Sequence, residues 1–283
     1  MKNKINIGNI LVYSLLIIVL IFTVFPIISV VLASFKSNSE IMTKPESIIP
    51  LEFTFDNYVT AWNSDTFKIG RMLFNSTWYS GISVVITLIT SAVSGYVFAR
   101  GEFRGKKLIF AVFSALMFVS LGSITIYPTF DILALLGLNS SLFGLIVMQC
   151  FGIPIVNMYL IRGFVNALPK ELDEAARIDG CSFTGIFVRI IFPMLKPVLI
   201  TIGLLSFNGS WNNYFYPSLF TMSRPEQQTL IVGIMALKNS SEAATAWNLL
   251  YAATTIAVIP VLVVFAIGNQ KITDGMSAGA VKG

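Results

Sequence analysis

With Asp, Glu, Lys and Arg taken as punctuation, the chain falls into six long stretches without formal charge: Ile5 to Phe35, Met72 to Ala99, Leu108 to Phe130, Ile132 to Ile161, Pro197 to Ser223 and Ala243 to Gln270. Each exceeds the ~20 residues that cross about 30 Å of hydrocarbon as a helix. Backbone polar groups cannot stay unpaired in lipid, so the pattern predicts an all-α membrane protein with six transmembrane helices. The first helix is expected over about residues 8–35 and the core helices over about 71–270, forming a single transmembrane domain. Six crossings place both termini on one side.

The basic residues say which side. Lys2, Lys4, Arg100, Arg104, Lys106, Lys107, Arg162, Lys170, Arg177, Arg189, Lys196, Lys271 and Lys282 fall on the side of the termini, thirteen of the 19 Lys and Arg. Cationic loops stay in the cytoplasm, so both termini are predicted there. The turn "ARGEFRGKK" after the second stretch is the strongest single element of that bias. The sequence pI of 9.2 is therefore a signal of topology and not of nucleic-acid binding. One alternative for the first stretch is a cleaved signal peptide, since "MKNK" precedes it and "VLA" at Val31 to Ala33 resembles a cleavage site. Its 31 uncharged residues are long for that role.

Composition narrows the chemistry. Hydrophobic residues make up 55% of the 283 and charged residues 12%, with mean hydropathy +0.78, far from a soluble globular domain. Histidine is absent, which removes imidazole metal sites and Ser-His or Cys-His nucleophile pairs. Nothing in the sequence suggests that Cys150 and Cys181 pair. No metal site is expected, and no phosphate-binding loop of the G-x-x-x-x-G-K-[ST] type occurs, so ATP must be handled by a partner.

Against this background, "ELDEAARIDGCSF" at Glu171 to Phe183 is anomalous, because it places four carboxylates within nine residues of a basic surface. The cytoplasmic loop that holds it, about residues 166–197, reads as helix, glycine turn, helix. Pro169 suits a first helical position, and Glu171, Asp173 and Glu174 suit the positive end of the helix dipole. Gly180 can end the helix in a left-handed conformation. Leu172, Ala175, Ala176 and Asp179 share a face at helical spacing, and Ser182 can cap a second helix carrying Phe183, Ile186, Phe187 and Ile190 until Pro193 breaks it. A solvated loop lying on the bilayer is one reading. Anionic headgroups repel acids, however, and a docking element for a cytoplasmic protein gives the carboxylates cationic partners.

The stretch resembles the coupling loop of ABC-importer permeases. Glu174-Ala175-Ala176, Gly180, Ile190 and Phe192-Pro193 follow that family's pattern without a gap, Phe192 replacing a leucine. "FTFDNY", "FNST", "FARGEFRGKK", "GSWNNYFYP" and "GMSAGAVKG" further resemble the carbohydrate, maltose-type branch, in particular its smaller second permease, though Asn213 stands where aspartate is commoner.

The resemblance implies a type I importer architecture in a bacterial cytoplasmic membrane, a second non-identical permease, two ATPase subunits that bind ATP and Mg, and an extracytoplasmic solute-binding protein. It implies no enzymatic activity or cofactor in this chain. Docking to the ATPases would involve Glu171, Glu174, Ala175, Ala176, Asp179, Gly180 and Phe183, and Ser277 and Lys282 in the tail at 271–283 would reach between them. No charge lies within a span, so a neutral, hydroxyl-rich solute fits better than coupled ions. Asn75, Asn157, Asn208, Trp211, Asn212, Asn213 and Tyr214 are candidates for the pathway, with interhelical hydrogen bonding as the alternative for each. A permease for amino acids or peptides, a stand-alone secondary transporter and a regulatory membrane protein remain alternatives.

Overall fold

The computed structural model describes residues 7–64, 67–119, 122–240 and 246–280, with residues 7, 10, 122, 123 and 269–280 described by backbone alone. Among the described residues every regular element is helical. The chain divides into two compact units, one formed by Met1–Gly70 with Gly233–Ile259 and the other by Arg71–Val232 with Pro260–Gly283.

In the first unit, α1 (Ile7–Ala33) is apolar on all sides. Its side chains from Leu11 to Phe22 are exposed throughout, as an apolar helix can be only in hydrocarbon or against another chain. Two short helices follow, α2 (Asn38–Thr43) and α3 (Asp56–Asn63). Asn57, from "FTFDNY", is 3% exposed and knots the unit together. Its Nδ2 donates to the carbonyls of Ser34 and Lys36, both at 2.8 Å, and its Oδ1 accepts from Asn248 Nδ2 at 2.7 Å. Buried Lys36 lies 3.7 Å from Glu40, and Glu40 Oε1 accepts from the Leu51 amide at 3.0 Å. Asn57→Ala strands two buried carbonyls, each worth about 1–3 kcal/mol, and is expected to lower the thermal unfolding midpoint in detergent by several degrees. An unchanged midpoint would show that the knot does not hold this unit.

The second unit is organised along α4 (Ile69–Arg100), a 32-residue helix. Tyr79 joins a core with Leu133, Leu142, Leu145, Ile146 and Phe220. Ala92 and Tyr96 join another, with Ile161, Val165, Ala176, Ile186 and Ile191. At Gly95 a Cβ would sit 2.4 Å from Ile161 Cγ2, so glycine is what permits this close approach.

The third uncharged stretch forms two short helices, α5 (Lys106–Leu116) and α6 (Ile126–Leu135), where one span was expected. Counting charges overlooks Gly122 and Ser123, poor helix formers that open a 3-10 turn at Gly122–Thr125 ahead of α6. In the fourth stretch α7 (Leu142–Phe151) and α8 (Ile155–Ala167) meet at a 42° bend, because Gly152 and Ile153 precede Pro154 and the residue before proline is driven out of the helical region. Beyond Ala167 come α9 (Glu171–Ile178), α10 (Phe183–Ile186), a π-helical turn at Phe187–Ile191, α11 (Phe192–Met194) and α12 (Lys196–Trp211). Pro193 does not break the chain of helices. The π turn ahead of it loosens the backbone that its ring would otherwise strike, and the 75° bend falls at Leu195. Next come α13 (Phe215–Phe220), α14 (Leu230–Asn239) and α15 (Trp247–Ala280), which continues as helix into the expected tail. Among the described residues three helices are long and apolar enough to cross a membrane, and up to five spans result if each bent pair counts as one.

Candidate functional site

The acidic stretch forms the predicted helix, glycine turn and helix. Glu171 opens α9 two residues after Pro169, and the amides of Asp173 and Glu174 donate to the Lys170 carbonyl at 2.9 and 3.1 Å. Gly180 has φ +82°, the Cys181 amide reaches back to the Ala176 carbonyl at 2.9 Å, and the Gly180 amide reaches that of Arg177 at 3.0 Å. This pair of bonds is the Schellman ending, which wants a residue without a Cβ at the left-handed position. Ser182 then caps α10 by accepting from the Gly185 amide at 3.1 Å. Gly180→Val places a β-branched residue at positive φ at a cost of about 1–2 kcal/mol and is expected to misdirect α10. ATP-driven uptake should fall with it; a valine variant that transports normally would show that the sharp turn is dispensable.

The orientation of α9 departs from the expected face. Asp173 and Ala176 are the buried positions, at 6% and 4% exposure, while Glu171, Glu174, Ala175 and Ile178 form an exposed row at i, i+3, i+4 and i+7. Ala176 therefore packs inside its own chain, against the core of Tyr96, Ile161 and Ile186, and is not presented to a partner. The cause is Arg100, the last residue of α4. Its Nε donates to Asp173 Oδ2 at 2.9 Å and its Nη2 to the Leu168 carbonyl at 2.8 Å. A hydrophobic count treats every aspartate as outward-facing, so it misses one drawn inward by a buried guanidinium. Ile178, 87% exposed beside Glu174 and Ala175, was missed for the converse reason. Its only signal in the sequence is the four-residue spacing from Glu174.

Phe183 is only partly exposed. Its ring lies 4.6 Å from that of Tyr96, and its carbonyl accepts from Tyr96 Oη at 3.3 Å. Asp179 and Gly180 are exposed at the turn. The neighbouring basic elbow is braced separately, with Arg162 Cζ 4.0 Å over the Phe110 ring and Lys106 Nζ donating to the Gly101 carbonyl at 2.8 Å. Burial first, and the Arg162 charge second, lower the Lys106 amine from its usual value, while Glu102 raises it.

The pathway candidates do not gather into one lining. Asn75 is 8% exposed and donates to the carbonyls of Glu226 and Gln228 at 2.9 and 3.0 Å, which commits its amide to the chain itself. Trp211 is 1% exposed, stacked on Phe207 with ring centroids 5.5 Å apart. Asn213 Oδ1 accepts from the Tyr216 amide at 3.3 Å as α13 begins. Asn208 and Asn212 are exposed together at the end of α12, joined by an Nδ2 to Oδ1 bond of 2.9 Å, and Tyr214 is exposed nearby. Asn157 is half-buried on α8. Among the described residues no group of His, Cys, Asp or Glu could hold a metal ion. The side chain of Ser277 and the whole of Lys282 lie outside the described residues.

Comparison with known proteins assigns this arrangement. The chain is 30% identical to the probable ABC transporter permease YurM of Bacillus subtilis, over all of this chain and 91% of that protein. It is 31% identical to the arabinooligosaccharides transport system permease AraQ of the same organism, over 92% of this chain and 90% of that one. It is 30% identical to the diacetylchitobiose uptake permease NgcG of Streptomyces coelicolor, over 95% and 88%. In fold it matches a chain of a bacterial ABC transporter involved in import of the acidic polysaccharide alginate, with TM-score 0.80 and 24% identity over 95% of this chain and 98% of that one. A family model described as "binding-protein-dependent transport system inner membrane component" matches residues 69–277. Together with the Glu174-Ala175-Ala176…Gly180 loop, these likenesses show that the chain belongs to that family of ABC-transporter permeases, as an inner-membrane component.

Proposed function

We propose that this chain is the permease subunit of an ATP-driven importer of sugars or oligosaccharides, crossing the membrane six times with both termini in the cytoplasm. In this reading the bent pairs α7–α8 and α10–α12 each make one crossing, and α5 with α6 makes another. The second permease subunit completes the translocation path. Of two ATPase subunits, which carry ATP and Mg, one docks on the exposed row of α9, and a solute-binding protein delivers the cargo from outside. Sugar transport is supported by the arabinooligosaccharide, galactooligosaccharide and diacetylchitobiose permeases among the relatives. The uncharged spans suit a neutral solute.

The observation that carries the reading is the pairing of a rigidly held back with a free front on α9. Arg100 fixes the buried face, while Glu171, Glu174, Ala175 and Ile178 remain exposed. A helix held this way transmits force to the unit behind it. ATPase closure would push on that face and turn the permease from inward-facing to outward-facing. Docking by Glu171, Glu174, Ala175, Asp179, Gly180 and Phe183, and contact by the tail at Ser277 and Lys282, are parts of the same proposal; Ala176 supports the surface from beneath.

Purification of the intact complex from membranes, followed by mass spectrometry, tests this directly. The expected result is a second permease, two copies of an ATPase and a bound carbohydrate. Recovery of this chain alone, with uptake in vesicles that needs no ATP, would establish a secondary transporter. A bound amino acid or peptide would keep the architecture and replace the cargo.

A further inference from the structure

Helix α4 is tied by polar groups at both ends, at one end to the buried back of α9 and at the other to the turn at Pro225–Gln227. Near its start, Asn75 donates to the carbonyls of Glu226 and Gln228, and Ser76 Oγ accepts from the Leu230 amide at 2.8 Å. Gln227 Oε1 accepts from the Leu142 amide at 3.3 Å, so the short turn at Pro225–Gln227 is fixed to both α4 and the start of α7. At the last residue of α4, Arg100 grips Asp173 and the Leu168 carbonyl. The two ties lie 25 residues apart on one helix, about 37 Å at the usual rise. Between them α4 packs into both cores of its unit, through Tyr79 and through Ala92 and Tyr96.

We propose that Arg100 and Asn75 are positioning residues at the two ends of one strut, through which displacement of α9 is delivered to the 225–228 turn on the other side of the membrane. This rests on the docking role given to α9 above. The physical argument is that a nearly inaccessible side chain at each end holds two acceptors at once, Arg100 the Asp173 carboxylate and the Leu168 carbonyl, Asn75 the Glu226 and Gln228 carbonyls. If α9 is pushed, Asp173 can keep its charge paired only by taking Arg100 with it. If α4 then moves, the buried Leu230 amide keeps its acceptor only by following Ser76, and the two bonds from Asn75 carry the Glu226 and Gln228 carbonyls with it. The turn that sits where a solute-binding protein would land thus reports the state of the cytoplasmic face.

The complex, purified through this chain and reconstituted in lipid nanodiscs, tests the strut. With Cys150 and Cys181 replaced by serine, Glu226→Cys makes the exposed turn reactive toward a membrane-impermeant maleimide, and the rate is compared with and without ATP and Mg. The parent is expected to change rate about fivefold or more, while Asn75→Ala and the double variant Arg100→Leu/Asp173→Leu are expected to change by less than about twofold. The double variant is chosen because an apolar pair can replace a buried ion pair without unfolding the chain. A merely structural role would lower the yield of complex and leave the rate ratio unaltered. If the Asn75→Ala complex is not recovered, Ser76→Ala reads the same ratio from the loss of one acceptor.

A parent without an ATP response, or an Asn75→Ala or double variant that responds as the parent does, overturns the strut. Glu174→Lys separates the two proposals. Loss of response in that variant alone retains the docking role and removes the strut. A full response there, with loss in the other two, removes Glu174 from the docking contact and leaves the strut driven through the rest of α9.

Discussion

Glu174→Lys is expected to abolish ATP-driven uptake and to release the ATPase subunits during purification. Glu174 lies in the middle of the exposed row of α9, flanked by Glu171, Ala175 and Ile178, with no partner among the described residues of its own chain to compensate for a change. The row is acidic in a loop otherwise flanked by basic residues such as Arg162, Lys170 and Arg189, so a cationic partner accounts for it best. Reversing a charge in a desolvated interface both removes the pair and sets like charges together, typically costing about 2–5 kcal/mol or more. That corresponds to a loss of about 30-fold or more in affinity for the ATPase. Fold and membrane insertion should be untouched, because the side chain points away from the core. Co-purified ATPase and uptake of labelled sugar in vesicles are the two readouts. Normal uptake with full ATPase recovery would remove the docking role from this face.

Arg100→Leu is expected to have the largest effect on the stability of the chain itself. Arg100 and Asp173 are both nearly inaccessible, with side-chain exposures of 7% and 9%. Removing the guanidinium leaves a carboxylate buried without its partner and strands the Leu168 carbonyl, which for a broken buried pair costs about 3–5 kcal/mol. Hydrogen exchange should accelerate in α9 and in the loop before it, and the yield of folded chain should drop. Adding Asp173→Leu should restore much of that yield, since no charge is then left uncompensated. A single Arg100→Leu variant as stable as the parent would mean that the pair is solvated and holds nothing.

Much of this was legible in the residues. Gly180 was readable because a left-handed ending has one strongly preferred residue, and the helix before it was readable because three acids crowded into four positions are best placed at the positive end of a helix dipole. The long uncharged runs around α1, α4 and α15 declared themselves by length alone. The third run did not, because its interruption is made of serine and glycine, which carry no charge and do little to lower hydropathy. The rotation of α9 was hidden for a different reason. Whether Asp173 or Asp179 faces inward depends on an arginine 73 residues away, a relation that helical spacing within the loop cannot contain. Asn75 and Trp211 looked like lining residues because polar and aromatic groups in a span have two uses. Only their bonds and burial separate a hinge pin or a core aromatic from a surface that meets solute.

The exposed flanks of α1 bear on how the sequence can drift. The family model begins at residue 69, just as α4 starts, and leaves this first helix outside. Where side chains from Leu11 to Phe22 are exposed throughout, leucine, isoleucine, valine and phenylalanine become interchangeable letters. Spelling tightens only near Ser34, where Asn57 takes hold of the backbone. Relatives should therefore differ most freely in this stretch, where solubility in hydrocarbon matters more than the shape of any one side chain.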